Sequence, residues 1–396
     1  MLKLSSDESF NFEILRMLSH STFGGADISE CLIAADEIVP GDFESWYTAW
    51  NKRAERVLSH IKEMNDPVSL RDLYFRASTY SRAADFFLHG NQDDPRIYSL
   101  WKSQADCFTE AISRLENPGY RKLLKADSFD VPIIVFPAGK KGDETKRPTI
   151  LMGNGYDGSI EEMYHMHGAA ALERGYNVVV YDGPGQPTVR REQGLGFIHN
   201  WEAVVTPIVD HVETLPFVDA KKIGLVGYSM GGYLCARAAA FEHRIAAVFQ
   251  IDGLFDFAKT PVFLTGGLSK FKTGDEAETR AILDNPEVPA GFRWVLGHGL
   301  WAFNVKTCGE FLEKAAKFSL DNGIAQQIQC PVFVADPEHD MFFQGQPELM
   351  VKALRDKGTL MKFTEADGAH EHCHFGAGRY TNAVMYEWFE EKVVKS

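Results

Sequence analysis

The chain has 396 residues, of which 45% are hydrophobic and 24% are charged, and this composition excludes a disordered or collagenous protein. The 41 Lys and Arg residues and 55 Asp and Glu residues give a formal charge of −14. Because such a surplus of negative charge repels phosphate backbones and anionic lipids, nucleic acids and membranes are not expected partners.

The N-terminal segment has no apolar stretch of signal-peptide length, and no run of about 18 apolar residues predicts a membrane span. The six cysteines are scattered without a CxxC pair. We therefore expect reduced thiols, a cytoplasmic protein and no zinc site.

Residues 1–119 are predicted to form a helical N-terminal domain. Apolar residues recur at helical spacing in WYTAWNKRAERVLSHI, DPVSLRDLYFRASTYSRAADFFL and RIYSLWKSQADCFTEAISRL. Asp66 and Pro67 give a helix start signal. Four aromatic residues of this part, Phe75, Tyr80, Phe86 and Phe87, are expected either to fill its own core or to face a substrate cleft.

Residues 120–396 alternate short apolar runs with helical segments. The runs VPIIVFP, PTILMGNG, NVVVYDG, KIGLVGY, AAVFQID, PVFVAD and TLMKFTEA predict strands of a mostly parallel sheet with helices on both faces. A segment at about 257–328, rich in Gly, Phe and Trp, interrupts the alternation and is predicted to be a mostly helical insertion.

The motif Gly227-Tyr228-Ser229-Met230-Gly231 matches G-x-S-x-G between a strand and a helix. Such a tight turn needs glycine on both sides and projects the serine above the carboxyl ends of the strands. The N–H of Met230, at a helix start, can stabilise an oxyanion. Ser229 is therefore the predicted nucleophile, with a Gly-rich structural turn as the alternative.

A serine nucleophile needs a base and an orienting acid, and in this arrangement both follow it in the chain. We predict Asp340, several residues beyond the strand PVFVAD, as the acid. Asp336 and Glu338 in the same loop, and Asp252 after the preceding strand, remain rivals.

The loop after the strand TLMKFTEA contains three histidines at alternate positions. We predict His372 as the base, with His370 and His374 as alternatives. A metal site is the other interpretation of H-x-H-x-H, but no second ligand segment is apparent.

The Gly-rich loop Gly153–Gly158 follows the strand PTILM, and the N–H of Tyr156 is the predicted second oxyanion donor. The loop lacks the GK[ST] ending of a phosphate-binding loop. The YDGPGQ segment that follows the next strand is predicted to be a structural turn.

With these motifs in order, residues 120–396 resemble an α/β-hydrolase. The N-terminal ESWYTAW and LRDLYFRASTYSRAADFFL are similar to the helical domain of two related groups. These are the bacterial 2,6-dihydroxypseudooxynicotine hydrolases and the fungal hydrolases that shorten polyketides in pigment and melanin biosynthesis, the yellowish-green-pigment type. GNGYDG, YDGPGQ, GYSMGG, DPEHDMFFQGQP and GAHEHCH resemble the fungal group most; Pro187, where relatives usually have a small residue, is a departure.

The resemblance implies a cofactor-free enzyme that hydrolyses a C–C bond next to a carbonyl in an aromatic polyketide or related β-dicarbonyl. It assigns Ser229, Asp340 and His372 to the catalytic triad. A carboxylesterase or lactonase, an acyltransferase and a non-enzymatic binding protein on the same scaffold are the alternatives. The expected partner is a small molecule, no metal is expected, and a homodimer is left open.

Overall fold

The computed structural model describes residues 3–264 and 274–395. It consists of an eight-stranded sheet, a set of helices that precedes the sheet, and further helices between and after the strands. Within the described residues, none of the helices combines the length and the apolar character that crossing a lipid bilayer requires.

Among the described residues, five α-helices precede the sheet. They are α1 (Glu8–Ser19), α2 (Ile28–Glu37), α3 (Phe43–Ile61), α4 (Pro67–Asp85) and α5 (Arg96–Ile112). The first four each follow an aspartate whose carboxylate accepts a backbone N–H of the first turn: Asp7, Asp27, Asp42 and Asp66. Because these caps satisfy N–H groups that have no partner within the helix, they define where each helix begins.

The eight strands have the order β1-β2-β4-β3-β5-β6-β7-β8. They are β1 (Tyr120–Lys125), β2 (Asp130–Phe136), β3 (Arg147–Gly153), β4 (Asn177–Tyr181), β5 (Val218–Tyr228), β6 (Ala247–Ile251), β7 (Val332–Pro337) and β8 (Gly358–Phe363). The pairs β1–β2 and β2–β4 are antiparallel, and the other neighbours are parallel. The predicted fold class, a mostly parallel α/β sheet, is confirmed.

Side chains of each strand alternate between two apolar cores, one on each face of the sheet. Leu151 of β3 belongs to one core, whereas its neighbours Ile150 and Met152 belong to the other. The helices associated with the sheet are α6 (Ala169–Glu173), α7 (Pro187–Gln193), α8 (Glu202–Val212), α9 (Gly231–Ala239), α14 (Gln346–Leu354) and α15 (Gly378–Phe389). This arrangement brings the carboxyl ends of the parallel strands to one edge, where the loops that follow them meet.

The segment between β6 and β7 is largely helical where it is described. It contains α10 (Pro261–Leu264), α11 (Glu276–Asp284), α12 (Ala290–Ala302) and α13 (Cys308–Ala315). Part of the predicted insertion at 257–328, residues 265–273, lies outside the described residues. Helix α12 packs against α1 and against a 3₁₀ turn at Leu88–Gly90. The insertion and the N-terminal helical part therefore contact each other through α12.

Apolar side chains from the N-terminal helices and from the strands belong to the same two cores. Phe75 of α4, for example, stacks on Tyr164, which follows β3, with ring centroids 5.1 Å apart. The division into a 1–119 domain and a 120–396 domain stays a prediction.

Candidate active site

Ser229 lies in the turn between β5 and α9, at the carboxyl end of the sheet. Its φ of +58° is in the left-handed region that side-chain-bearing residues rarely adopt. A Cβ on Gly231 would lie 2.8 Å from the Asn154 carbonyl oxygen, so glycine is needed for this close approach. The turn therefore has the sharp geometry that the G-x-S-x-G pattern predicts.

His372 is the histidine that contacts Ser229. It begins a short 3₁₀ turn, His372–His374, that follows β8. Its Nε2 lies 2.8 Å from Ser229 Oγ, which is hydrogen-bond distance, and its side chain is buried. A neutral imidazole in this position can accept the hydroxyl proton of the serine.

Two carboxylates lie against the other ring nitrogen of His372. Nδ1 forms a hydrogen bond of 3.0 Å with Asp340 Oδ1, and it also lies 2.7 Å from Asp252 Oδ2. Asp340 accepts the backbone N–H groups of Phe342 and Phe343 at 2.8 and 3.0 Å. Both carboxylates are thus within reach of a single N–H, and the sequence identified Asp252 only as a rival to Asp340.

Burial and mutual electrostatic interactions shift the pKa values of Asp252, Asp340 and His372 in different directions. Burial, together with the negative charge of Asp340, raises the pKa of Asp252. Burial would also raise the pKa of Asp340, but His372 and the two backbone donors hold it below its ordinary value. Burial alone would lower the pKa of His372, whereas Asp340 and Asp252 raise it well above the usual range. Asp340 is therefore the carboxylate that stays ionised, and Asp252 is the one that binds a proton more readily.

The other predicted candidates lie away from Ser229. Asp336 is near Lys362, with 3.5 Å between the charged atoms, and Glu338 accepts the N–H of Glu365 at 2.8 Å. His370 packs against the ring of His339, and His374 Nδ1 donates to the Ala369 carbonyl at 2.8 Å. The structure does not bring these four side chains to the serine hydroxyl.

The loop after β3 is pressed against the serine turn. A Cβ on Gly155 would collide with the Tyr228 carbonyl oxygen and would lie 2.8 Å from the Met230 nitrogen. Among the described residues, no acceptor receives a hydrogen bond from the backbone N–H of Tyr156 or Met230. Two N–H groups close to a nucleophile and without a partner are what an oxyanion site requires.

Gln186 holds this loop in place, although the sequence indicated only a structural turn at YDGPGQ. Its side-chain N–H₂ donates to the Asn154 carbonyl at 2.6 Å and to the Gly155 carbonyl at 3.3 Å. Its side-chain oxygen accepts the N–H of Gly183 at 2.8 Å. Pro187, the noted departure, occupies the first turn of α7, where proline is tolerated. Gln186, the last residue of YDGPGQ, thus connects this turn with the loop of Tyr156.

A narrow apolar cavity of about 50 Å³ opens above Ser229. Its wall includes the aromatic side chains Phe12, Tyr156, Phe257, Phe263, Trp294, Phe342, Phe343 and Phe375. Six of the 28 phenylalanines of the sequence therefore line this cavity, and others fill the cores. Aromatic walls around a few polar groups favour a flat, largely apolar ligand.

A second cavity, of about 470 Å³, shares Phe12, Trp294, Val295 and Phe342 with the first one. Phe86 and Phe87 from the N-terminal part line this outer cavity. Phe75 instead packs on Phe108, and the Tyr80 hydroxyl donates to Glu30 at 2.7 Å. Of the four aromatic residues singled out in the sequence, Phe86 and Phe87 therefore face a cavity, and Phe75 and Tyr80 are buried in the apolar cores.

A buried ionic cluster connects α1 with the loop of Tyr156. Both Arg16 Nε and Nη2 lie 2.6 Å from the carboxylate oxygens of Glu162, and Nη1 lies 2.9 Å from Asp157. Glu162 also accepts the side-chain N–H of Asn154 at 2.8 Å. The side-chain oxygen of Asn154 in turn accepts the N–H of Gly155 at 2.7 Å. A side chain of the first helix is thus linked to the backbone next to Tyr156.

Asp252, His372 and Cys373 present their ligand atoms within 4.8 Å of one another and could hold a metal ion. Burial raises the pKa of the Cys373 thiol, so that it stays protonated and is a weak ligand. The His372 nitrogens already contact Ser229 and the two acids. These contacts suit proton transfer better than metal coordination.

The fold and the site together define an α/β hydrolase, and the chain belongs to that family. The profile of the alpha/beta hydrolase family matches residues 150–379. The chain is thus an enzyme, as predicted, and the interpretation as a non-enzymatic binding protein is not supported.

Relatives from fungi match nearly the whole chain. It is 32% identical to hydrolase LUC6 of a Fusarium species, over 96% of each chain. It is also 32% identical to the 20-hydroxy-prefusarin hydrolase of Gibberella moniliformis, over 98% of each chain. The resemblance to fungal hydrolases that the motifs indicated is confirmed.

Solved structures show the same fold. The 2,6-dihydroxy-pseudo-oxynicotine hydrolase superimposes with a TM-score of 0.70 at 21% identity, over 95% of this chain and 96% of the other. A structure named AbyA5 gives a TM-score of 0.67 at 17% identity, over 97% and 94% of the two chains. Both matches include the helices that precede the sheet.

Proposed function

We propose that this protein is a serine hydrolase of fungal secondary metabolism that cleaves a carbon–carbon bond next to a carbonyl group in an aromatic polyketide or related β-dicarbonyl. The observation that carries the proposal is the 2.8 Å contact between His372 Nε2 and Ser229 Oγ at the base of an aromatic-lined cavity. The fungal relatives, one of which is named for hydrolysis of 20-hydroxy-prefusarin, support a small-molecule substrate of this kind.

In the proposed first step, Ser229 Oγ bonds to the ketone carbon while His372 Nε2 takes the hydroxyl proton. The carbonyl electron pair moves onto oxygen, and the N–H groups of Tyr156 and Met230 hold the resulting oxyanion. Asp340 keeps Nδ1 of His372 protonated and stabilises the imidazolium. The Asp252 carboxyl group lies against the same nitrogen, His372 Nδ1.

Collapse of this intermediate breaks the bond between the former carbonyl carbon and the adjacent carbon. The bond electrons leave as an enolate or a conjugated ring anion, which takes the proton from His372. An acyl group remains on Ser229. Water, activated by His372, then attacks this ester, and the acid and the free serine are released.

The two cavities indicate which part of such a substrate each of them holds. The narrow cavity at Ser229 suits the reacting carbonyl and a short acyl group, whereas the outer cavity of about 470 Å³ suits a larger aromatic or conjugated part. In the described part of the chain, the acids Glu13 and Glu287 line the outer cavity without a basic side chain. An uncharged substrate therefore fits this cavity better than a carboxylate.

All six cysteines lie in the described part of the chain and are free thiols. This state supports a reducing compartment, and we place the enzyme in the cytoplasm. The mechanism uses no cofactor or metal, so prolonged treatment with EDTA should leave turnover unchanged. Loss of activity that added zinc restores would contradict this part of the proposal.

The experiment compares two acetyl donors that differ in the bond to be cleaved. Benzoylacetone offers a C–C bond and phenyl acetate offers a C–O bond to the same acetyl group. We expect release of acetate and acetophenone from benzoylacetone, detected by mass spectrometry, and no release by the matched Ser229→Ala variant. Cleavage of phenyl acetate alone would assign a carboxylesterase, and transfer of acetyl to an added alcohol in preference to water would assign an acyltransferase.

A further inference from the structure

Helix α12 of the insertion forms two hydrogen bonds with Tyr156. The Tyr156 hydroxyl donates to the Val295 carbonyl at 2.6 Å, and His298 Nε2 lies 2.8 Å from the Tyr156 carbonyl oxygen. A Cβ on Gly299 would collide with the Tyr156 hydroxyl, so glycine permits this close packing. Tyr156, whose N–H is the proposed second oxyanion donor, is thus held by both its side chain and its carbonyl.

His298 is the first member of a series of buried, hydrogen-bonded side chains that take no part in the proposed reaction. Its Nδ1 lies 2.9 Å from Nδ1 of His89, and Nε2 of His89 lies 3.2 Å from Arg191 Nη2. The same Arg191 nitrogen donates to Asp85 at 2.5 Å. Both imidazoles are buried, and the His89 ring stacks on Trp301 with centroids 4.2 Å apart.

The acceptor at one end, the Tyr156 carbonyl, and the donor at the other end, Arg191, decide which ring nitrogens carry hydrogen. A carbonyl oxygen can only accept, so His298 Nε2 must be the N–H that points at Tyr156. Nδ1 of a neutral His298 then accepts, and Nδ1 of His89 donates to it. Nε2 of His89 then carries the lone pair and accepts from Arg191 Nη2, which can only donate, and it also lies 3.2 Å from Asp85 Oδ2. With this assignment, each ring nitrogen of the two histidines has a hydrogen-bond partner.

Burial favours the neutral rings that the assignment requires. It lowers the pKa of His298 to about 3 and also lowers the pKa of His89. The charged groups in contact with the pair are Arg191 and Asp85, which pair with each other, and Asp157 and Arg82 also act on the pKa values of the two rings. The chain of hydrogen bonds therefore keeps one pattern over the pH range in which a serine hydrolase works.

We propose that His298 is a positioning residue for the oxyanion site and acts through the Tyr156 carbonyl. A fixed carbonyl and a fixed hydroxyl leave Tyr156 little freedom to rotate, so its N–H stays directed at the oxygen that becomes charged. This inference rests on the proposed role of the Tyr156 N–H. Preorganised donors of this kind contribute most when they need no rearrangement during the reaction.

Two substitutions with the same chemistry but different reach test the proposal. In His298→Gln the side-chain amide can reach the Tyr156 carbonyl, whereas in His298→Asn it stops near the position of Nδ1. The control for placing an asparagine at a buried histidine position is His165→Asn, because His165 is also buried, has a pKa lowered to about 3, and contacts the Phe23 carbonyl through Nδ1 at 3.1 Å. Turnover and the rate at which a fluorophosphonate labels Ser229 are measured for each.

We expect His298→Asn to lower kcat and the labelling rate by roughly 10- to 100-fold, a part of the loss seen when an oxyanion donor is deleted. KM should change by less than about threefold, and His298→Gln should recover most of the loss. His165→Asn should keep kcat within about threefold. Equal rates for His298→Asn and His298→Gln, or an equal loss in His165→Asn, would overturn the inference.

Thermal unfolding of each variant is recorded as well, because a variant that is unfolded at the assay temperature is compared at a lower temperature where it is folded. The outcomes also separate this inference from the proposed function. If the wild-type chain is labelled at Ser229 and the two His298 variants react equally fast, only the positioning role fails. If the wild-type chain is not labelled at Ser229, the proposed nucleophile fails.

Discussion

Arg16 and Glu162 form a two-point ion pair between the first helix and the segment that follows the loop of Tyr156, with both N···O distances at 2.6 Å. Their side chains are only 4% and 1% exposed. Burial would raise the pKa of Glu162, but Arg16 and Arg82 hold it well below its ordinary value. The N-terminal helices therefore supply the positive charge that keeps a carboxylate ionised next to the active-site loop.

Arg16→Met should destabilise the fold by about 3–5 kcal/mol, because Glu162 would be left buried without its main partner. The double variant Arg16→Met/Glu162→Gln should regain part of this loss. The control is Lys52→Met, which removes an exposed pair with Glu37 and should cost at most about 1 kcal/mol. Urea unfolding measures all three; equal effects of Arg16→Met and Lys52→Met would contradict the role of the cluster.

Among the three clustered histidines, His372→Ala should be the inactive variant. His370→Ala and His374→Ala should keep measurable turnover, because their rings contact His339 and the Ala369 carbonyl and not Ser229. Steady-state kinetics of the three purified variants, with circular dichroism to verify folding, provide the comparison. An active His372→Ala beside a dead His370→Ala would show that the base is assigned to the wrong residue.

Strands β2–β8 and the turn at Ser229 depend on local sequence, and the sequence predicted them. Strand β1 was missed because YRKLLK is a partly exposed edge strand with no apolar run. A second acid was not predicted, and Asp252 was only a rival to Asp340, because the two follow different strands and only the assembled sheet brings both to one nitrogen. His298 and Arg16 carried no signal, since a single histidine or arginine in a helix is usually structural.

The pH dependence of kcat/KM should reveal the second acid. His372 must be neutral to accept the serine proton, so activity falls as the pH drops through its pKa. Negative charge on Asp252 raises that pKa, and therefore Asp252→Asn should shift the acid limb to lower pH while the enzyme stays active. Asp340→Asn should instead lower kcat by roughly 10²-fold or more, since the carboxylate that orients His372 is lost. An acid limb that does not move, or moves upward, in Asp252→Asn would contradict this account.

The outer cavity should control the binding of bulky substrates. Phe86 lines it and stacks on Trp294 with centroids 5.1 Å apart, whereas Phe75 is equally buried but lies outside it. Phe86→Leu should therefore raise KM for a bulky aromatic ketone several-fold and leave phenyl acetate little affected. Phe75→Leu is the matched control for lost packing, and an equal change of KM in both variants would remove the outer cavity from substrate binding.

Labelling of the nucleophile tests the central claim most directly. The wild-type protein is treated with a fluorophosphonate, and its mass and the masses of its peptides are measured beside those of Ser229→Ala. One adduct on the peptide that contains Ser229, no adduct in the variant, and a loss of turnover of roughly 10³-fold or more in that variant are the predicted results. An adduct on Cys373, or turnover by Ser229→Ala at the wild-type rate, would contradict the serine mechanism.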